Sequence, residues 1–104
     1  MAIVTVHAGV CGFVTTITTK SDDGQNVAIS YETNCPHAEK AKAELTSVDA
    51  YTEIFRKPAE TTVYAVLSRH LVHTACPLYS GFFKAIEVAG GLALPRDVTM
   101  KIEA

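Results

Sequence analysis

Apolar and polar positions alternate with a period of two over the first third of the chain, then change to a helical period. Ile3 to His7 is β-branched and extended in character. Two glycines interrupt it within Ala8-Gly9-Val10-Cys11-Gly12. Phe13 to Thr19 then sets Phe13, Thr15, Ile17 and Thr19 on one face. Ser21-Asp22-Asp23-Gly24 is a turn cluster, its Asp-Gly pair supplying the positive φ that a hairpin needs. Val27, Ile29 and Tyr31 alternate with Ala28, Ser30 and Glu32, the pattern of a half-buried strand. Short links between the three segments predict an antiparallel meander.

From Pro36 onward the spacing is helical. Ala38, Ala41, Leu45 and Val48 share a stripe, and the charges from Glu39 to Glu44 form a solvated face. A second short helix begins near Asp49, carries Tyr51, Ile54 and Phe55, and ends before Pro58. A third follows Glu60 with Val63, Val66, Leu67 and Leu71 on one side. Pro77 opens a fourth, where Tyr79, Phe82, Phe83, Ile86 and Ala89 are apolar, and Gly90-Gly91 stops it. Beyond Pro95, Val98, Met100 and Ile102 alternate with Thr99, Lys101 and Glu103, which predicts a final amphipathic strand. The expected class is α+β: a three-stranded antiparallel meander, about four helices packed on one sheet face, and a C-terminal strand. Residues 1–104 make one domain, long enough for a single core.

Composition narrows the function classes. An apolar fraction of 48% with 19% charged residues is that of an ordinary globular domain. A net charge of −2 leaves no basic footprint for nucleic acid. No apolar run approaches the roughly 20 residues of a membrane span. Met1 to Thr5 has neither the positive region nor the cleavage site of a signal peptide. With an odd cysteine count, this predicts a cytoplasmic protein with reduced thiols rather than a structural disulfide. No carboxylate pair, Ser–His–Asp pattern or phosphate-cradling glycine loop is visible.

The candidate chemistry lies in the three cysteines. Each stands beside a residue that reshapes the backbone: Cys11-Gly12, Cys35-Pro36 and Cys76-Pro77. A cysteine serving only as a small hydrophobe belongs inside an element, whereas these mark element ends. Proline favours the first helical position, so Cys35 and Cys76 are expected at helix N-caps, facing orphan N–H groups that favour thiolate. Cys11 lies in the link between the first two strands. If the three sulfurs converge, they form a three-thiolate site needing one more ligand. His73, three residues before Cys76, is the first candidate; His37 and His7 follow. Cys₃His sites suit zinc, and thiolates equally suit iron–sulfur clusters. His7 shares a strand face with Ile3 and is expected partly buried, His70 faces solvent, and Phe82 and Phe83 are core.

The arrangement resembles the IscU/NifU-type iron–sulfur cluster assembly scaffolds, over about residues 3 to 90. The matching segments are Cys11-Gly12-Phe13, Asn34-Cys35-Pro36 and His73-Thr74-Ala75-Cys76, followed by Ala85-Ile86-Glu87-Val88-Ala89. The chain departs from that family at Phe13, where the scaffolds have an acidic residue, and at Ala75, where they commonly have a histidine. The resemblance implies a scaffold or carrier with Cys11, Cys35 and Cys76 as ligands to zinc or an iron–sulfur cluster, and His73 or an external molecule completing the shell. It also implies a protein partner for cluster or sulfur transfer rather than turnover of a small substrate. Two other classes remain. One is a thiol, persulfide or redox enzyme with one activated cysteine, Cys35 or Cys76. The other is a non-catalytic interaction module, including a homodimer formed through the strand around Val98 to Ile102.

Overall fold

The computed structural model describes residues 1–104. Four strands, β1 (Ala2–His7), β2 (Val14–Lys20), β3 (Asn26–Thr33) and β4 (Ser47–Asp49), form one antiparallel sheet in the order β1-β2-β3-β4. Its register sets Val4 beside Ile17 and Ile17 beside Tyr31, so each strand sends alternate side chains to the same face. Ala2, Val6, Thr15, Ile17, Thr19, Val27, Ile29 and Tyr31 are buried on that face. The predicted meander is therefore present, with the predicted inward positions.

Helices α1 (Pro36–Lys40), α2 (Ala50–Ile54), α3 (Thr62–His70) and α4 (Leu78–Ala89) complete the α+β domain. The predicted first helix, running on to Val48, is interrupted. It stops at Lys40, a turn follows, and Ser47–Asp49 pairs with β3, placing Val48 opposite Val27. Thr46, Ser47 and Val48 are weak helix formers, and the edge of β3 offers them a ladder. Ala38, Ala41 and Leu45 are nonetheless buried, as their spacing predicts. In α2 the expected apolar pair Tyr51 and Phe55 is exposed, the two rings stacked on each other, while Ala50 and Glu53 are buried. No C-terminal strand forms: residues 92–104 carry no regular secondary structure, because no sheet edge of this chain lies against Val98–Ile102.

The hairpin between β2 and β3 is built as its sequence suggests. Gly24 takes φ of 75°. The Asp23 carboxylate accepts hydrogen bonds from the backbone N–H groups of Gln25 (2.9 Å) and Asn26 (2.8 Å), and from the Asn26 amide (2.9 Å). These bonds to its charged form hold the Asp23 carboxyl at about 2, below the ordinary 3.8. Buried Glu53 does comparable work between helices, accepting from Thr62 N–H (2.9 Å) and Val63 N–H (3.2 Å) in the first turn of α3.

Helix α4 crosses β1 and β2 closely. Gly81 lies so near Val6 that a Cβ built there would fall 2.5 Å from the valine Cγ2. Thr19 donates its hydroxyl to the Ala85 carbonyl at 2.7 Å. Phe82 is fully buried and meets the Tyr31 ring edge-on at 5.0 Å, and Tyr31 donates its hydroxyl to the Ala38 carbonyl at 2.8 Å. Burial pushes the Tyr31 phenol up to about 12, with the Glu39 charge adding to it. Phe83, expected in the core, is only half-buried at the edge of α4.

Gly81→Ala is expected to destabilise the fold by up to about 2 kcal/mol, overpacking outweighing the gain in helix propensity. Denaturant unfolding of Gly81→Ala, Val6→Ala and the double variant checks this, since the loss from Gly81→Ala shrinks when Val6 is already truncated. Asp23→Ala is expected to lower the melting temperature at neutral pH. The folded pKa of Asp23 lies below its unfolded value, so its contribution is complete above 3.8 and fades as pH falls through about 2. Melting curves of both proteins across that window should therefore converge.

Candidate functional site

Three chain segments meet at the end of the sheet where β1 stops and β2 begins. Cys11 occupies the β1–β2 connection, which is closed by Ala8 N–H to the Phe13 carbonyl (3.1 Å) and Gly12 N–H to the Gly9 carbonyl (2.9 Å). Gly9 and Gly12 take φ of 85° and 73°, which non-glycine residues rarely adopt. The Cys11 side chain is exposed. Cys35 follows β3 by one residue, and the last ladder pair, Thr15 with Thr33, sets it beside the start of β2. Cys76 precedes α4, and the Gly81–Val6 contact fixes that end of the helix next to the end of β1.

Polar bonds lock two of these segments together. Asn34 Oδ1 accepts from Val14 N–H at 2.8 Å, tying the residue before Cys35 to the base of the Cys11 loop. Thr33 Oγ1 accepts from Cys35 N–H at 3.1 Å and shares a 2.7 Å bond with Thr15 Oγ1. In the sequence Asn34 stands out only as the neighbour of Cys35. Its role depends on a partner 20 positions away, and no local pattern marks it.

The three thiols differ in depth and surroundings. Cys35 is the N-cap of α1, with Pro36 at the first helical position, as expected. Its sulfur, however, makes no cap hydrogen bond. The helix has only five residues, too few to build a strong dipole, and Cys35 is buried as a member of the core. Cys76 is one residue further from its helix than expected. A turn bonded from Cys76 N–H to the His73 carbonyl (3.3 Å) delivers Pro77 already in a helical conformation, and Pro77 becomes the N-cap. The Leu78 N–H, an orphan donor of the first turn, still favours charge on the Cys76 sulfur.

Burial pushes the Cys76 thiol up, the Leu78 N–H pulls it back, and the charges of Cys35 and Cys11 push it up further. Cys35 and Cys11 thus act on Cys76 from remote parts of the chain. The three are nevertheless not gathered into a finished cage, because no three His, Cys, Asp or Glu side chains stand close enough to hold a metal ion together.

Of the candidate histidines, His73 is exposed and lines a groove of about 530 Å³ with Cys76, Tyr64, Tyr79, Phe83 and Met100. His37 is half-buried in α1. His7, expected partly buried, is exposed, since the face of β1 that it shares with Ile3 has no layer packed on it. His70, expected free in solvent, bonds the Glu44 carboxylate, which also takes Arg69 at 2.5 Å. Bonds from His70 and Arg69 hold the Glu44 carboxyl below its usual range. A second groove, about 600 Å³, contains Lys20, Asp22, Asp49 and Glu53. Two of its carboxylates are occupied as caps, Asp49 on α2 and Glu53 on α3.

Residues 2–102 match the model of a family of unknown function (DUF6951). The chain belongs to that family. No curated protein and no solved structure matches it. Membership spans strands, helices and most of the C-terminal segment, so all three cysteines lie within the family's extent. No helix is long and apolar enough to cross a membrane.

Asn34→Ala is expected to free the Cys11 loop from the β3–α1 junction without unfolding the core. Hydrogen exchange should show faster exchange at Val14 N–H, by about fivefold for a net bond near 1 kcal/mol, with the β2–β3 ladder unchanged.

Proposed function

We propose that the chain is a small metal- or iron–sulfur-handling protein of scaffold or carrier type, with Cys11, Cys35 and Cys76 as the thiolate ligands. The observation that carries this reading is the gathering of three cysteines, from a hairpin loop, a strand–helix junction and a helix entrance, at one end of the sheet. Repulsion at Cys76 supports it: charges on Cys35 and Cys11 work against charge on Cys76, and a bound cation relieves that repulsion.

Three thiols and a neighbouring imidazole form a donor set suited to zinc or an iron–sulfur cluster. His73 lines the same groove as Cys76 and is the first candidate for the fourth donor. An external fourth ligand suits release to a protein partner, since an open position permits exchange. The exposed Cys11, on its solvent-facing loop, is the ligand best placed to meet cargo held by the other two. The rival reading, a thiol enzyme with one activated cysteine, gains less. Activation requires a thiol pulled down, and the Cys76 thiol is pushed up.

Anaerobic reconstitution with iron and sulfide, and separately with zinc, tests the reading by absorption spectra and elemental analysis. Wild type should load stoichiometrically. Cys11→Ser, Cys35→Ser and Cys76→Ser should each abolish stable loading, while Asn34→Ala should weaken it about 10–100-fold through lost orientation of its neighbours. Metal content unchanged across all three serine variants would refute a shared site.

A further inference from the structure

Two features of the chain are complementary, and nothing within the chain satisfies either. The first is the free edge of β1. This strand pairs with β2 over six consecutive positions without a bulge, and its sequence, Ala-Ile-Val-Thr-Val-His, contains no proline, lysine or carboxylate. No backbone hydrogen bond outside the sheet ladders involves Ala2–His7. Sheet edges are normally blunted by charge, proline, a bulge or brevity. The opposite edge meets that rule, since β4 is three residues long and runs directly into the Asp49 cap of α2. The edge at β1 has none of these protections.

The second feature is the stretch Val98–Ile102. Its alternation of Val98, Met100 and Ile102 with Thr99, Lys101 and Glu103 is that of a strand with one apolar face. Those apolar side chains are 62%, 75% and 90% exposed, and the stretch has no ladder partner. Its own β1 is not where it lies. The chain leaves α4 at Gly90, which is packed against Ala50 and Gly24 at the far end of the sheet from Cys76. It then returns so that Met100 lines the groove formed by Tyr64, Leu71 and Val72 on the helical side.

We propose that Val98–Ile102 of one copy adds as a fifth strand to β1 of a second copy, and reciprocally, giving a symmetric dimer by exchanged C-terminal strands. In this pairing Val98, Met100 and Ile102 continue the helix-covered face beside Ala2, Val4 and Val6, which removes their apolar surface from water. Thr99, Lys101 and Glu103 join the solvent-facing side with Ile3, Thr5 and His7. The pairing uses none of the cysteines, so it stands or falls separately from the metal reading.

Sedimentation of the full chain across a dilution series, with reductant and chelator present, tests the dimer without disulfides or bound metal. Wild type is expected to be a dimer that dissociates on dilution. The double variant Thr99→Pro, Met100→Pro, altered outside the packed core, should be monomeric with its helical circular dichroism retained, because an edge strand donates through alternate N–H groups and one of two adjacent prolines falls on the paired set. Hydrogen exchange adds the location: alternate amides of β1 should be protected in wild type and exchange at least about tenfold faster in the proline variant. A monomeric wild type, a dimer that survives the prolines, or β1 protection that they leave unchanged would each overturn the proposal.

Discussion

The close approach of α4 to the sheet at Gly81 is the contact on which the rest of the architecture depends. A glycine there lets the helix axis come near enough for Thr19 to reach the Ala85 carbonyl and for Phe82 to meet Tyr31 edge-on. The same approach fixes where the helix begins. Since Gly81 is pinned to Val6, the turn carrying Cys76 has to lie at the end of β1, level with the loop that holds Cys11. A packing requirement of the core thus decides which end of the molecule receives the third sulfur.

The core and the sulfur-bearing end are joined by hydrogen bonds as well as by packing. Thr15 is buried, yet its hydroxyl reaches Thr33, which in turn receives the Cys35 N–H. Asn34 adds the bond to Val14. Buried polar groups of this kind have to be paired, and here their pairing also sets the register between a loop and a junction distant in sequence. Glu53 plays the matching part at the other end, satisfying the first turn of α3 from the neighbouring helix.

Much of the fold was legible because it follows local periodicity. The inward sets of β2 and β3, the stripe Val63, Val66, Leu67 on α3 and the glycine stop after α4 all repeat with their element's period. The misread segments are those where a distant partner decides. Ser47–Asp49 becomes a strand because β3 has an edge to fill, and Val98–Ile102 stays irregular because this chain has no edge beside it. For the site, the end-of-element positions of the cysteines were visible from Gly12, Pro36 and Pro77. Their depths were not: Cys35 enters the core through the packing of α1, and Cys76 stands off its helix by one turn residue. Asn34 carries no local signal because its bond reaches back across the β2–β3 hairpin to Val14.

The three thiols occupy different depths: Cys11 at the surface, Cys76 half sunk beside the groove, Cys35 within the core. An oxidant or alkylating agent arriving from solution meets them in that order. Damage would therefore begin at the exposed sulfur of the β1–β2 connection, while the innermost sulfur reacts only after the strand–helix junction around it has opened. The sequence of modification becomes a natural gauge of whether that end of the molecule is closed.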